Sequence, residues 1–167
     1  MTQLAAPTTV EVEVYFIDQY DDGRGPYEGH YPHSNTEVRK EVQQMKFNKG
    51  DYVVFTDQIA NRYIVETLEP QAHDSYFNWN FFDEILGRKE YFSPYVFEDE
   101  AAQLLKKDPE LKAAFEEAKQ DSAFAASQWA MLDFIYQRSD HFESSYRRYP
   151  VARMMKKAPL NLQIGRK

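Results

Sequence analysis

Cysteine is absent from the 167 residues, which excludes disulfides, thiolate catalysis and any cysteine-ligated zinc or iron–sulfur site. Long apolar runs are absent as well, and no segment reaches the length that a membrane-spanning helix needs. The N-terminal stretch MTQLAAPTTVEVEV lacks the basic segment and the apolar core of a signal peptide. We therefore expect no membrane partner, and these features leave the compartment open.

The common catalytic signatures are also missing. There is no GxSxG nucleophile elbow, no GxGxxG or GxxxxGK[ST] phosphate loop and no HExxH zinc motif. The net charge of −7 argues against nucleic acid, because binding to a phosphate backbone draws its affinity from concentrated lysine and arginine. From the absent motifs and the negative charge we therefore expect no catalytic residue, no cofactor and no nucleic-acid partner.

Aromatic residues are abundant: 12 Phe, 12 Tyr and 2 Trp make up 16% of the chain. Each ring removes a large apolar area from water when it is buried, so aromatic clusters should dominate the core. A length of 167 residues fits one domain or two small, mutually packed lobes.

The chain up to about residue 70 has the texture of β structure. A period-two pattern of a half-buried strand begins at Val10. Its one face is Val10, Val12, Val14 and Phe16, and these alternate with Glu11, Glu13, Tyr15 and Ile17. A long loop is predicted at residues 18–36, and Asn48-Lys49-Gly50-Asp51 predicts a hairpin turn. We expect residues 1–9 to be a flexible N-terminus and residues 10–70 to form a β-rich lobe. Further strands are predicted at Glu37 to Phe47, Tyr52 to Thr56 and Tyr63 to Leu68.

Residues 71–140 have a helical apolar period and explicit start signals. The first predicted helix ends before Gly87, and the last runs to about Arg138. The sequence therefore predicts an α+β fold: a small, mostly antiparallel β-sheet lobe followed by a four-helix C-terminal region packed on it. The four helix starts are predicted at Asp74 or Ser75, at Ser93-Pro94, at Asp108-Pro109 and at Asp121 or Ser122.

The first predicted helix has an unusually broad apolar arc, so we expect it to be largely buried. Asn78 falls within that arc, and a buried amide without hydrogen-bond partners costs on the order of 1–3 kcal/mol. A structural role for Asn78, fastening the helix to backbone of the sheet, is favoured. Binding of a ligand by Asn78 is the alternative.

Residues 141–167 form a basic C-terminal tail. A solvated tail is favoured, and docking on an acidic surface of the same protein or of a partner is the alternative. From position 147 onward there is no acidic residue, and the seven basic ones are Arg147, Arg148, Arg153, Lys156, Lys157, Arg166 and Lys167.

The loop around residue 30 is the best candidate for a metal site in the sequence. Glu28, His30 and His33 lie within six residues, and imidazole with carboxylate is a ligand set that zinc accepts. Pro32 prevents the helical presentation that would place both histidines on one ion. A structured loop with His30 or His33 hydrogen-bonded to backbone is favoured, and a metal-dependent hydrolase built on these three residues is the least favoured function.

Three tyrosines of the same region, Tyr20, Tyr27 and Tyr31, are candidates for a binding surface. Exposed aromatic rings stack on sugars and peptides, although rings in so aromatic a chain more often belong to the core. They support a free-standing module that binds a peptide or a carbohydrate.

Four stretches of the sequence resemble a known family. They are ANRYIVETLEP from Ala60, DSYFNWNFFDEILGRKEYFSPYVFEDEAAQLL from Asp74, MLDFIYQRS from Met131 and RRYPVAR from Arg147. The region from about Tyr15 to Arg153 resembles the C-terminal, non-catalytic part of bacterial zinc-carboxypeptidase-like proteins of the M14 type.

The resemblance implies that a catalytic domain lies upstream in the parent protein. That domain would supply the zinc through a His-x-x-Glu motif and a later histidine, neither of which is present here, so zinc is expected only there. The pair Asn61-Arg62 matches the family's substrate-binding pair only by coincidence, since no zinc motif precedes it. The resemblance also suggests an exported or periplasmic parent.

Two functions follow as expectations. The first is an accessory domain or fragment of an M14 carboxypeptidase-like protein, which supports the peptidase or positions its substrate. The second is the free-standing peptide- or carbohydrate-binding module.

Overall fold

A long antiparallel hairpin carries most of the β structure. In the computed structural model, which describes residues 2–23, 25 and 27–163, strand β2 spans Thr8–Asp22 and pairs with β3, His33–Phe47. The register is irregular on either side of Gln19. Both strands extend into the region predicted to be a loop at 18–36, so the connection is shorter than expected because cross-strand pairing continues past the irregularity.

A second, three-stranded sheet has the order β4-β1-β5, with antiparallel pairing throughout. Its strands are short: β1 is Thr2–Leu4, β4 is Tyr52–Val53 and β5 is Leu162–Gln163. The N-terminus predicted to be flexible therefore contains a paired strand, and Leu4 is buried. Asn48 to Asp51 form a turn, but β4 leaves β3 and pairs with β1 instead of closing a hairpin.

The chain divides into two compact units. The first comprises Met1–Gly87 and Ser145–Lys167, and the second comprises Arg88–Ser144. The boundary thus falls 17 residues later than the predicted one at residue 70, because the segment after the first helix belongs to the β-rich unit. The fold class is α+β, as the sequence predicts.

Tyr63 to Leu68, predicted to be a strand, lies instead in helix α1, Asn61–Leu68. Thr67 is buried and the apolar Ile64 and Leu68 are partly shielded from water, whereas Tyr63 and Val65 are exposed. This spacing of three and four residues is helical, and the aromatic and β-branched composition had suggested a strand.

The predicted buried helix from Asp74 to Leu86 does not form. The segment is a series of turns with one 3₁₀ turn at Asp83–Ile85. Asn80 and Phe82 have φ angles of 59° and 64°, and a left-handed residue ends a right-handed helix. Asn78 is exposed rather than buried, although it does bind backbone: its side-chain amide donates to the Ala72 carbonyl at 2.8 Å.

The described part of the basic tail is docked on its own chain, so the favoured solvated tail is wrong. Arg148 and Arg153 bridge to strand β2, and Tyr149 is buried. Arg153 Nη1 lies 3.4 Å from Glu69 Oε1, and Lys156 Nζ lies 3.5 Å from an oxygen of Glu11. Backbone bridges to β2 and exposed ion pairs to acidic residues of the same unit therefore connect this segment to its own chain, while Arg166 and Lys167 lie outside the described residues.

Two apolar clusters on β2 form the core of the first unit. One is built on the buried Val10, Val12 and Val14. The other contains Tyr15, Ile17, Phe77, Ile85, Leu86 and Tyr149.

The second unit is helical and follows its predicted start signals. Helix α2 is Pro94–Lys107, α3 is Pro109–Ala118, α4 is Ser122–Ala125 and α5 is Gln128–Tyr136. The single last helix that was predicted is split into α4 and α5, because Ser127 adopts extended backbone and caps α5 at Ala130 N. The core of the second unit is formed by seven buried residues: Phe97, Ala101, Leu111, Phe115, Leu132, Ile135 and Tyr136.

A buried ion pair lies within the second unit. Arg88 Nη2 is 2.6 Å from Asp133 Oδ1, and both side chains are largely shielded from water. The rings of Tyr91, Tyr136 and Phe142 surround the guanidinium at 5.2 to 5.5 Å from its carbon.

Within the described part of the chain, no helix combines the length and the apolar character needed to cross a bilayer.

Candidate ligand-binding surface

Large aromatic rings stand exposed on two segments of the first unit that are hydrogen-bonded to each other. Tyr63 on α1 is 62% exposed, and Trp79 and Phe81 in the turn segment are 65% and 55% exposed. Tyr76 is the fourth ring of this group. We call Tyr63, Tyr76, Trp79 and Phe81 the aromatic surface.

Hydrogen bonds and ring contacts hold the aromatic surface together. The hydroxyls of Tyr63 and Tyr76 are 3.0 Å apart, and this hydrogen bond raises the pKa of Tyr63. The rings of Tyr76 and Phe81 meet edge to face, with centroids 5.6 Å apart. The backbone N–H of Tyr76 donates to the Thr67 carbonyl at 2.8 Å, which ties the turn segment to α1. The rings of Tyr63, Tyr76 and Phe81 are therefore fixed relative to one another, and the backbone N–H of Trp79 donates to the Ser75 carbonyl at 3.1 Å.

Left-handed backbone decides which rings point outward. Phe82, at φ 64°, packs inward with its ring centroid 5.8 Å from that of Tyr149, while Phe81 beside it is exposed. A bulky residue at positive φ is uncommon and costs roughly 1–3 kcal/mol. Ser75 Oγ accepts from Asn78 N at 3.1 Å, and this bond helps to hold the turn.

An oriented histidine adjoins this segment. The turn at Glu28 and Gly29, whose φ angles are 50° and 83°, pairs Tyr27 with His30 in both directions. Two left-handed residues in succession are the signature of a type I′ turn. His30 Nδ1 lies 2.9 Å from the carbonyl oxygen of Asn80, the residue between Trp79 and Phe81.

The tautomer of His30 follows from these contacts. A carbonyl oxygen only accepts, so Nδ1 carries the proton, and Nε2 of the neutral ring is an acceptor. Asp83 Oδ2 lies 3.4 Å from the same Nδ1 and also accepts from Tyr31 N at 2.6 Å. Asp83 is only 4% exposed and is held in place, so its Oδ2 beside Nδ1 favours this orientation of the imidazole.

The tyrosines predicted to bind a ligand do not form one exposed group. Tyr27 is exposed at its turn. Tyr20 is half-buried between His33 and Arg147, and burial raises its pKa. Tyr31 packs so closely on Gly87 that a Cβ there would lie 2.7 Å from its hydroxyl oxygen.

The candidate metal ligands also have other partners. His33 Nδ1 lies 3.1 Å from the Tyr31 carbonyl oxygen, and its ring packs 4.2 Å from that of Phe77. His30 is engaged with Asn80, as described above, and Glu28 is exposed at left-handed φ. Across residues 2–23, 25 and 27–163, no group of three or more histidine and carboxylate side chains is placed to hold a metal ion.

Sequence reasoning missed Tyr63, Trp79, Phe81 and Asp83 as candidate site residues. A usable signal was the stretch FNWNFFD, in which two asparagines, the non-glycine residues best suited to left-handed backbone, alternate with aromatic residues. Chemically, the arrangement offers ring faces for stacking and an imidazole acceptor that has no hydrogen-bond partner among the described residues. Comparison of the chain with protein-family models, curated proteins and solved structures finds no match in any of the three.

Proposed function

We propose that this chain is a binding module that holds its ligand on the aromatic surface. The observation that carries the proposal is the exposure of Tyr63, Trp79 and Phe81 by more than half on a braced segment. Burial of such rings is strongly favourable, so a fold that keeps several exposed together has surface suited to a partner.

The ligand class expected from stacking alone is a peptide or a glycan. Both present flat or apolar faces to aromatic rings and both offer donors to an acceptor such as His30 Nε2. Ring faces and a single imidazole acceptor serve binding without requiring a reaction.

A fluorescence titration with matched tryptophan variants tests the proposal. The chain has 2 tryptophans, Trp79 on the aromatic surface and Trp129 in the second unit, and both are more than half exposed. Trp79→Ala should weaken binding about tenfold or more, because truncation of an interface tryptophan often costs about 2 kcal/mol or more. Trp129→Ala is the control and should leave affinity unchanged.

The probes are a mixed-sequence peptide library and a set of oligosaccharides. Binding that W79A weakens and W129A preserves supports the module. If neither class binds, or if both variants bind as the parent does, the proposal is wrong.

The resemblance to M14 carboxypeptidase-like proteins supports a second possibility for the same module: that it is an accessory domain of such a protein. In that setting, the bound ligand is the substrate of the attached peptidase, and zinc belongs to the missing catalytic domain. Translating the DNA upstream of the Met1 codon tests this: an in-frame His-x-x-Glu motif with a later histidine is expected, and a nearby stop codon contradicts it.

The accessory setting also predicts that the isolated chain binds no stoichiometric zinc and has no carboxypeptidase activity. Metal analysis of the purified chain and incubation with a reporter peptide measure both. Tight zinc binding together with release of C-terminal residues would overturn this prediction.

A further inference from the structure

Negative charge borders the aromatic surface. The segment from Gln58 to Gly87 contains five acidic residues and a single basic one, Arg62. Two of the acidic residues are already engaged, since Glu69 pairs with Arg153 and Tyr15, and Asp83 is buried beside His30. The remaining three are Glu66, Asp74 and Glu84.

Two of these carboxylates lie at the edge of α1 beside Tyr63, and the third follows Phe81 in the chain. Glu66 follows Tyr63 by three residues on α1, so the two side chains share a helix face. Asp74 N donates to Glu66 Oε1 at 3.2 Å, which brings Asp74 to the same edge, two residues before Tyr76. Glu84 is exposed three residues after Phe81.

Within the described residues, Glu66, Asp74 and Glu84 form no ion pair with lysine or arginine. Among the described residues, the one basic side chain within ion-pair distance of them is that of the exposed His73, whose Nδ1 lies 3.2 Å from Asp74 Oδ1. Uncompensated carboxylates beside aromatic faces are the elements of a cation site, because the face of each ring is itself electronegative. The net charge of −7 adds long-range attraction for cations.

We infer that the ligand of the aromatic surface is a basic peptide segment, whose lysine or arginine side chains lie over the rings and face the carboxylates. The inference rests on the proposed function and names its ligand class. The carboxylates flank the rings of the turn segment, with Glu66 and Asp74 before them and Glu84 after them in the chain, and the basic side chains of an extended peptide can face both groups. Nucleic acid is disfavoured by the same charges.

Binding of three matched peptides to the full chain tests the inference. One extended peptide carries four lysines, and its twins carry glutamine or glutamate at the same four positions. The lysine peptide should bind at least about tenfold more tightly than the glutamine twin, and the glutamate twin should not bind. Added salt should weaken the lysine peptide most, since it screens exposed charges.

Charge-neutralising variants locate the effect. Asp74→Asn and Glu84→Gln should each weaken the lysine peptide about two- to fivefold, and together more than either, while binding of the glutamine twin stays unchanged. Both side chains are exposed, so the fold should tolerate the changes. Glu117→Gln removes one exposed carboxylate from α3 in the second unit and should have no effect.

These measurements distinguish a wrong ligand class from a wrong binding function. If the lysine and glutamine peptides bind equally and W79A weakens both, the binding module stands and the basic ligand is wrong. The basic ligand is also wrong if only oligosaccharides bind, or if spermidine competes with the lysine peptide at equal concentration of charge. If no probe binds in a W79A-sensitive manner, both the inference and the proposed function are wrong.

Discussion

Two buried tyrosines of the first unit differ in what their hydroxyls contact. Tyr15 Oη lies 2.8 Å from Glu69 Oε2 and 3.2 Å from Glu13 Oε1. The hydroxyl of Tyr149 is buried and has no hydrogen-bond partner among the described residues, although its ring packs edge to face against that of Tyr15. The hydroxyl of Tyr15 should therefore stabilise the folded state, whereas the buried hydroxyl of Tyr149 should destabilise it.

Phenylalanine substitution should separate them. Tyr149→Phe removes an unpaired buried hydroxyl and should leave the free energy of unfolding unchanged or raise it by up to about 1 kcal/mol. Tyr15→Phe removes a hydrogen bond to a carboxylate and should lower that free energy by about 1.5–3 kcal/mol. Urea denaturation of both variants measures the difference, and equal losses would contradict the hydrogen-bond assignment.

Helix α3 begins with a side-chain cap, whereas α2 does not. Asp108 Oδ1 accepts from the backbone N–H groups of Glu110 and Leu111, both at 2.9 Å. Ser93 stands at the equivalent position of α2, but its side chain makes no capping hydrogen bond.

The two caps form a matched pair for mutation. Asp108→Ala should lower the free energy of unfolding by about 1 kcal/mol, because two backbone donors lose their acceptor. Ser93→Ala should change it by less than about 0.5 kcal/mol, since no capping hydrogen bond is lost. Thermal denaturation followed by circular dichroism compares the variants, and a larger loss for Ser93→Ala would be inconsistent with the observed caps.

The ion pair between Arg88 and Asp133 ties the start of the second unit to α5. Asp133→Ala leaves a guanidinium buried among rings and should lower the free energy of unfolding by about 3–5 kcal/mol. The double change Arg88→Met with Asp133→Leu should recover most of that loss, since neither charge then remains buried.

An exposed pair of the same unit is the control. Lys119 Nζ and Glu116 Oε2 are 3.5 Å apart in solvent, and Glu116→Ala should cost no more than about 1 kcal/mol. Chemical denaturation of the parent and the three variants gives all four values. A double variant as unstable as Asp133→Ala would refute the account.

At the scale of elements, the sequence was informative wherever the signal was local. Ser93-Pro94 and Asp108-Pro109 mark helix starts through the chemistry of a few neighbouring residues, and the structure has helices there. The strand from Val10 was equally readable, because buried and less buried residues alternate from Val10 to Val14. Beyond Val14 the pattern changes, since Tyr15 and Ile17 are both buried.

The sequence misled where distant contacts decide. Tyr63 to Leu68 has the composition of a strand, and the helix is recognised only from which residues its neighbours bury. The turns at Asn80 and Phe82 place Phe77 inside and Phe81 outside, which no periodic pattern encodes. The candidate site was therefore missed, since its rings were assigned to the core.

For the molecule as a whole, buried tyrosines set the response to alkaline pH. Burial raises the pKa of Tyr15 and Tyr149, and nearby Glu69 adds to both effects. The folded pKa lies above the unfolded value of about 10, so this contribution to stability is complete below about pH 10. It is lost as pH rises further, because unfolding allows these hydroxyls to ionise.

The ionisation of tyrosine should accordingly leave the free energy of unfolding unchanged up to about pH 10 and lower it above that pH. Absorbance at 295 nm and circular dichroism, followed together on raising the pH, should show Tyr15 and Tyr149 ionising only as the first unit unfolds. Tyr149→Phe should reduce the loss at higher pH. Ionisation of every tyrosine before any change in circular dichroism would contradict the prediction.

The first unit is assembled from two stretches that are far apart in the sequence, and this bears on how the protein is made. A ribosome releases the helices of the second unit before it releases residues 145–163, which complete the first. Until then the apolar face at Val10, Val12 and Val14 lacks Ala152, Met154, Ala158 and Leu160, its later neighbours. The apolar face of the nascent hairpin therefore stays exposed to solvent until those residues are synthesised. Exposed apolar surface of this kind is what chaperones bind during synthesis.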